Sequence, residues 1–480
     1  MNVGIWMLLL LVGYYALLLL IAKWVGRQRG NDAFFTGNHT SPWYVVAIGM
    51  IGTSVSGVSF ISVPGMVREN GFLYMQTVLG FFVGYILIAK VLLPLYYRLN
   101  TASIYEYLSL RFGPRAYKTG AAYFLLAKSL GAAAKAYVIV LLLHTLLFQG
   151  WSVPFVVTTV VFVFLIWNYT RQSGIKTLVW TDAFQTIALV VALVWFIVSF
   201  SKALGFNFSE VFTQIKASPY SQLLETADWQ SKQHVVKQFF SGVFIALVMT
   251  GLDQDMIQKN RTISTLKNSQ KNMYWYGFGF IPLNLLFLTL GALMLLFARQ
   301  RGLSLPATSD EILPMLATGG YLPMTATLLF ALGVVSASFS SADSSLTALT
   351  TSFCIDIAGK PDDERYRKGV HVGFSLLLVV LILGFRLVNH SSLIDAVYIL
   401  VSYTYGPLLG LYAFGLLTKR TADDRFIPWI AIASPVFCFI LQAALKQWFN
   451  YAMGYELLML NGLFTFTGLL FTSKKAVYGH

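Results

Sequence analysis

The chain has 480 residues, of which 57% are hydrophobic and only 11% are charged, whereas about 25% of the residues in an ordinary soluble protein are charged. This composition excludes a disordered chain, a soluble enzyme and a fibrous repeat, and two cysteines are too few for a disulfide scaffold. The formal net charge of +14 needs no nucleic acid partner, because basic residues collect on one side of membrane proteins. The sequence therefore predicts an all-α, polytopic membrane protein.

A helix needs about 20 apolar residues to cross a bilayer, and thirteen stretches of the chain meet this requirement, which we number spans 1 to 13. They are residues 4–22, 43–66, 73–97, 116–147, 154–169, 174–202, 236–257, 273–298, 323–357, 371–388, 393–417, 427–448 and 455–473. Lys and Arg are more than twice as frequent after odd-numbered spans as after even-numbered ones. This bias predicts an external N-terminus and a cytoplasmic C-terminus. We expect residues 1–480 to form one transmembrane domain.

Span 2 carries small and polar residues where lipid favours apolar ones. Its middle contains Gly52, Thr53, Ser54, Ser56, Gly57 and Ser59. Such residues weaken a helix, and a broken helix exposes backbone carbonyls that can bind a cation when they line a cavity. Close packing of helices through small residues is the alternative explanation.

Span 9 has ten hydroxyl residues among the seventeen from Ser336 to Ser352. Ala337, Ser340, Ser341 and Ser344 follow helical spacing and therefore share one face, which Asp343 borders. Oxygen ligands of this kind suit a hard cation. Hydroxyls that bond to their own helix explain single serines but not this density.

Spans 4, 6 and 7 place charges within the membrane, where ionisable groups are costly and usually functional. Span 6 contains Asp182, and a glycine followed by Asp253, Gln254 and Asp255 predicts a second helix break in span 7. Span 4 has Lys128 and Lys135 seven residues apart, which places them on one face. Each lysine could pair with an aspartate of another span or with a substrate carboxylate, or its ammonium could reach the membrane interface by snorkelling.

The order and spacing of these motifs along nearly the whole chain resemble the sodium:solute symporters. The similar segments include residues 32–43, which lead into span 2 and begin Asp32-Ala-Phe-Phe-Thr-Gly, together with Trp180-Thr-Asp182, Gly251-Leu-Asp-Gln, Ser340-Ser341 and residues 63–65, 103–107, 111–113 and 405–410. The resemblance implies the leucine-transporter architecture, a core of two inverted five-helix repeats. Residues 43–417 would form this core, residues 4–22 a peripheral helix and residues 427–473 two C-terminal helices.

The resemblance also implies Na⁺ as the coupled ion and two sets of ligands. The main Na⁺ site would use backbone carbonyls of Gly52, Val55 and Ala337 and the hydroxyls of Ser340 and Ser341. Some family members have a second Na⁺ site, which would here involve Asp182, Ser344 and Asp343. Because Asp343 stands where such members carry a hydroxyl, it either strengthens a cation site or pairs with a lysine, and the number of Na⁺ ions stays open.

Substrate is expected beside the break in span 2, in a Na⁺-coupled importer that works by alternating access. The candidate binding residues are Ser56, Ser59, Gln76, Lys135, Asp253, Gln254 and Ser402. Because Lys135 can hold a carboxylate, we favour an organic acid, amino acid or acidic sugar. A neutral sugar, a vitamin or an inorganic anion is the alternative within the family. Where the family usually has Asn this chain has Asp253, which when ionised only accepts hydrogen bonds.

Two other classes of protein are weaker interpretations. A channel would conduct without uphill accumulation, and a membrane-embedded enzyme of the acyltransferase type would rely on His144, the one histidine that lies clearly within a predicted span. No phosphate-binding loop or nucleophile elbow occurs in the sequence. We therefore expect no enzymatic activity. The remaining expectations are a monomer in the lipid bilayer of a bacterial inner membrane.

Overall fold

The fold was analysed in a computed structural model, which describes residues 3–25, 30–100, 102–148, 151–171, 174–388, 393–451 and 453–474. In this part of the chain nearly every element is helical, and two short antiparallel strands, β1 (Thr421–Ala422) and β2 (Ser473–Lys474), pair with each other. The predicted all-α class is confirmed.

The helices of the first half end with the span that carries Asp182. They are α1 (Val3–Val25), α2 (Asn31–Thr36), α3 (Trp43–Ser54), α4 (Gly57–Gly65), α5 (Val67–Asn70), α6 (Tyr74–Leu87), α7 (Leu93–Leu99), α8 (Glu106–Arg111), α9 (Pro114–Leu143), α10 (Phe155–Thr170) and α11 (Ile175–Leu204). A 3₁₀ turn covers Gly37–His39, and π-helical turns cover Ile88–Leu92 and His144–Phe148.

The helices of the second half include the serine-rich span as α17. They are α12 (Phe208–Ala217), α13 (Val235–Ala246), α14 (Gln254–Arg261), α15 (Leu266–Gln300), α16 (Ile312–Thr318), α17 (Met324–Ser352), α18 (Glu364–Val388), α19 (Leu393–Leu417), α20 (Ile427–Phe449) and α21 (Leu457–Thr472). Further π-helical turns cover Leu247–Gly251 and Phe353–Ile357, and a 3₁₀ turn covers Ser309–Glu311.

Among the described residues, nine helices are long and apolar enough to cross a membrane, and two bent pairs raise this number to eleven. The shorter apolar helices Phe155–Thr170 and Leu457–Thr472 occupy the two remaining predicted spans, so the count of thirteen stays a prediction. The apolar windows of α1, α18 and α20 are only 17%, 22% and 22% buried, so these three helices are less enclosed by protein than the other long helices. The division into peripheral, core and C-terminal parts also stays a prediction.

The first predicted break lies between α3 and α4, whose axes differ by 62°. Val55 leaves the helix in an extended conformation (φ −89°, ψ 103°), and the Ser56 hydroxyl accepts the Ser59 amide to start α4. A Cβ on Gly57 would lie 2.1 Å from the Ser338 Oγ of α17, so α17 packs closely against the chain at the break. Local helix weakening and close packing therefore act together here.

The second break lies between α13 and α14, which also differ by 62°. The π-helical turn Leu247–Gly251 ends α13, and the Asp253 carboxylate accepts the backbone amide of Asp255 to cap α14. The chain remains helical to Arg261, four residues beyond the predicted end of span 7. This difference matters because it brings Lys259 into the buried region.

The helices α6 and α13 cross closely at two glycines. A Cβ on Gly80 would lie 2.1 Å from the Phe239 carbonyl oxygen, and a Cβ on Gly242 would lie 2.2 Å from the Thr77 carbonyl oxygen. These distances are too short for any side chain, so the two backbones must separate if either glycine is replaced.

We therefore expect Gly242→Ala to lower the midpoint of thermal unfolding in detergent, with an overpacking cost of about 1–3 kcal/mol. Gly131→Ala in α9 is the matched control, because nothing lies within 4 Å of its Cβ position. Alanine is a better helix former than glycine by up to about 1 kcal/mol, so the control is expected to be neutral or stabilising. Equal midpoints for the two variants would contradict the close crossing.

Candidate functional site

The break in the first helix meets the serine-rich face of α17. The Thr53 and Ser340 hydroxyl oxygens lie 3.2 Å apart, and Val55 and Ala337 are each 1% exposed. All five predicted ligands of the main Na⁺ site, Gly52, Val55, Ala337, Ser340 and Ser341, are buried on these two adjoining elements. Their role as Na⁺ ligands stays a prediction, but the required proximity of α3 and α17 is present.

Asp182 lies at the same junction and accepts hydrogen bonds from three hydroxyls. Ser340 donates to its Oδ1 at 2.7 Å, and Thr53 and Ser344 donate to its Oδ2 at 3.2 and 3.3 Å. A serine hydroxyl that donates to a carboxylate keeps its lone pairs for a cation. Ser340 is thus able to serve Asp182 and an ion at the break simultaneously.

Asp343, the third predicted member of the second Na⁺ site, faces different partners. Its carboxylate accepts hydrogen bonds from the Tyr169 hydroxyl of α10 and from the backbone amide of Ser344. The structure therefore brings Asp182 and Ser344 together but turns the Asp343 carboxylate towards α10. Whether any of the three binds Na⁺ stays a prediction.

Lys259 is the functional candidate that the sequence analysis missed. Its ammonium nitrogen lies 2.7 Å from the Asp182 Oδ2 and 3.8 Å from the Asp255 Oδ1, and it donates to the Thr53 hydroxyl. The side chain is 1% exposed. The available signal was its position four residues after Asp255, on the same face of any helix that continues past the break.

Lys128 of α9 is held by the second broken helix. Its ammonium lies 3.1 Å from the Asp253 Oδ2 and 2.8 Å from the Asp255 Oδ2, and the Tyr405 hydroxyl donates to the same Asp253 oxygen at 2.7 Å. An aspartate was among the partners predicted for this lysine. Asp253 consequently has little capacity left for hydroxyl groups of a solute.

A cavity of about 80 Å³ lies between the two breaks, roughly the volume of two or three water molecules in the liquid. Its wall has polar, charged and aromatic members: Thr53, Ser54, Thr250, Ser341, Lys128, Lys135, Asp253, Asp255, Tyr85, Tyr276, Tyr398, Phe81 and Phe280, with Ile245, Ala246, Met249 and Met256. Within the described part of the chain, Lys135 has neither a hydrogen bond nor an ion pair of its own.

Lys135 and Asp253 are the predicted substrate residues that line this cavity. The Gln254 amide is used by the backbone before α8, with the Ala102 carbonyl at 2.7 Å and the Ile104 amide at 3.1 Å. The Ser402 hydroxyl donates to its own helix at Tyr398. Ser56 caps α4 and Ser59 follows it in that helix, and neither lies in the cavity wall.

Gln76, another predicted substrate residue, instead fastens the segment that precedes α13. Its side chain donates to the Gln233 carbonyl at 2.9 Å and accepts the Glu225 amide at 3.0 Å. The backbone amides of Ala227 and Asp228 in turn bond to the Glu225 carboxylate and hold its pKa below the usual value. Gln76 is thus committed to anchoring a loop in this conformation.

Two broken helices whose breaks meet around a polar cavity define a secondary transporter that binds its cargo near the middle of the membrane. The model of the sodium:solute symporter family matches residues 34–424, and the chain belongs to this family. The predicted class is therefore confirmed. The protein is a multi-pass membrane protein and a Na⁺-coupled symporter, which is a transporter rather than an enzyme. His144, the residue on which an enzyme would rely, contacts Thr158 instead of the cavity.

Similar proteins cover nearly the whole chain. The sodium/sialic acid symporter SiaT of Proteus mirabilis is 23% identical over 450 residues, which span 88% of this chain and 87% of that protein. The sodium/glucose cotransporter of Vibrio parahaemolyticus is 22% identical, over 95% of this chain and 89% of that protein. The substrate-bound, outward-open structure of a Na⁺-coupled sialic acid symporter superimposes with a TM-score of 0.85 at 20% identity, covering 99% of both chains. This likeness confirms the predicted leucine-transporter architecture.

Proposed function

We propose that the protein imports a carboxylate-bearing solute together with Na⁺, and that the Lys135 ammonium binds the carboxylate. The observation that carries this proposal is the position of Lys135 in the wall of the cavity, where it has no ion pair with any described residue and lies beside a lysine that has two. A lysine in a membrane interior needs a counter-charge, and a solute carboxylate supplies it.

The charges around the cavity support an acid rather than a neutral solute. Lys128 and Lys259 pair with Asp253, Asp255 and Asp182, and Asp343 is buried near Asp182, so with Lys135 the described residues of this region include three cations and four carboxylates. Net charge is expensive to bury. Na⁺ and a monocarboxylate add one charge of each sign, and they therefore bind together without changing this balance.

The body of the solute would contact an aromatic wall, formed by Phe81, Tyr85, Tyr276, Phe280 and Tyr398. Ring faces suit apolar carbon atoms, while the tyrosine hydroxyls offer polar contacts. An acidic sugar is larger than the cavity of about 80 Å³, so such a solute enters only when the cavity opens. The sialic acid carried by one relative has a carboxylate, and the glucose carried by another is neutral; the neutral sugar, the vitamin and the inorganic anion remain the alternatives.

Coupling would follow from Na⁺ at Gly52, Val55, Ala337, Ser340 and Ser341. The ion would bridge the first broken helix and α17 and so favour one conformation of the transporter. Because the cavity adjoins this ion site, Na⁺ binding in that conformation raises the affinity for the solute. One positive charge crossing 100 mV contributes about 2.3 kcal/mol, equivalent to about 50-fold accumulation. We place the monomer in the lipid bilayer of a bacterial inner membrane, with the N-terminus outside and the C-terminus in the cytoplasm.

The proposal is tested by thermal unfolding of the purified protein with sialic acid, lactate or glucose, in NaCl and in KCl. A ligand that binds only the folded state raises the unfolding temperature. We expect stabilisation by at least one of the two acids in NaCl, none by glucose, and little by any solute in KCl. Stabilisation by glucose alone would contradict the carboxylate proposal, and equal stabilisation in KCl would contradict the coupling to Na⁺.

A further inference from the structure

We infer that the Lys259 ammonium is a resident cation of the site at Asp182, that it occupies the place of a second Na⁺, and that the protein therefore couples transport to one Na⁺ ion. This inference deepens the proposed function, because it takes the main Na⁺ site from that proposal. It concerns the ion stoichiometry, which the sequence left open.

The Lys259 ammonium is held beside Asp182 by contacts with two other helices and by a carboxylate of its own helix. Its nitrogen is 2.7 Å from the Asp182 Oδ2, donates to the Thr53 hydroxyl, and lies 3.8 Å from the Asp255 Oδ1. An ammonium has three donors; two of them reach oxygens of α11 and α3, and the Asp255 Oδ1 of its own helix α14 interacts with it only as a nearby charge. Asp182 is fully buried and Lys259 is 1% exposed, so the pair is shielded from water.

A second Na⁺ at Asp182 would draw on a carboxylate that Lys259 already engages through its Oδ2. The Asp182 Oδ2 also accepts from Thr53 and Ser344, and its Oδ1 accepts from Ser340. For the repulsion between a Na⁺ ion at this carboxylate and the lysine charge we take a separation of about 4 Å. At an effective dielectric constant of about 20, that repulsion weakens ion binding on the order of 1,000-fold.

The other carboxylates near the pair already have partners of their own. Asp255 is shared with Lys128, which lies 2.8 Å from its other oxygen, and the Asp343 carboxylate is turned towards Tyr169. Ser340 is the link between the two cation positions, because it donates to Asp182 and lies beside the break that is proposed to hold the main Na⁺. Lys259 thus supplies a fixed positive charge where a mobile ion would otherwise be required.

The test counts Na⁺ ions bound to the purified, full-length protein by equilibrium binding of ²²Na⁺, with no solute present. We expect one Na⁺ per wild-type protein. Lys259→Ala frees Asp182 and its hydroxyl partners, and we expect this variant to bind two Na⁺ ions. Its affinity for the second ion should be at least 100-fold higher than the affinity of the wild type for a second ion. Lys259→Arg keeps the charge and is expected to bind one. In the Lys259→Ala protein, adding Asp182→Asn should remove the extra ion.

Folding is followed by thermal unfolding in NaCl and in choline chloride. Lys259→Ala leaves a buried carboxylate without its cation, so we expect lower stability that Na⁺ restores by a larger shift than in the wild type. Lys259→Gln serves as the second variant if the alanine protein does not fold. Two Na⁺ ions in the wild type, or one ion with unchanged affinity in a folded Lys259→Ala or Lys259→Gln protein, would overturn the inference. Failure of the carboxylate proposal leaves these counts unchanged, because the assay contains no solute.

Discussion

Lys135→Met is expected to raise the KM for uptake of the carboxylate solute by at least about 30-fold, with much less change in the Na⁺ concentration for half-maximal binding. The reason is that loss of one partner of a desolvated charge pair costs about 2–5 kcal/mol. Methionine keeps most of the length of lysine and its apolar character, so the aromatic wall of the cavity stays filled. The measurement is the initial rate of uptake into proteoliposomes, with the acid that stabilises the protein in the thermal assay.

Two variants separate charge from structure. Lys135→Arg keeps the positive charge and is expected to retain a KM within about tenfold of the wild type. Lys90→Met makes the same chemical change at an exposed lysine in the π-helical turn Ile88–Leu92, and should leave uptake unaltered. An unchanged KM in folded Lys135→Met protein would show that Lys135 does not bind the carboxylate of the solute.

Replacing Ser340 and Ser341 together by alanine is expected to raise the half-saturating Na⁺ concentration about 30- to 150-fold. Each lost hydroxyl removes an interaction with a charged group, and we take the combined loss as about 2–3 kcal/mol. The measurement is the Na⁺ dependence of solute uptake, together with ²²Na⁺ binding. Because Ser340 also donates to Asp182, the single variant Ser341→Ala isolates the effect of a hydroxyl that has no bond to that carboxylate.

The matched control for this experiment lies on the same helix. Ser345 is buried, and its hydroxyl donates to the Ser341 carbonyl at 2.7 Å, a bond within its own helix. Ser345→Ala removes the same atoms as either test substitution and is expected to leave the Na⁺ dependence unchanged. If the double variant folds and retains the Na⁺ dependence of the wild type, these serines are not ligands of the main site.

Several features of the site were predictable because they have local causes. The breaks at Val55 and after Gly251 lie where small and polar residues interrupt apolar runs, and such residues weaken a helix wherever it packs. The oxygen-rich face of α17 follows from helical spacing alone. The pairing of Lys128 with an aspartate of span 7 was also among the predicted alternatives, because a buried lysine needs a nearby carboxylate.

Other features depend on which groups meet across the fold. Gln76 and Gln254 are polar residues in or near apolar spans, and from the sequence each is a reasonable solute ligand. In the structure their amides bond to the Glu225–Gln233 region and to the segment from Ala102 to Ile104. An amide has four hydrogen-bonding positions and takes whichever partners the packing brings near. Sequence spacing does not contain that information.

The sequence by itself determined the membrane class, the family, the two helix breaks and the concentration of oxygen ligands on one face of α17, because hydrophobic length, helical period and weak helix formers act within a few residues of one another. Only the tertiary structure decided that Lys259 contacts Asp182 and Thr53, and that Lys135 lines the cavity without an ion pair to any residue that the structure describes. These contacts depend on how α3, α11 and α14 are arranged in space, and two 62° bends in the chain contribute to that arrangement. A charge inside the membrane pairs with a carboxylate that the fold brings within reach, however far apart the two residues are in the sequence.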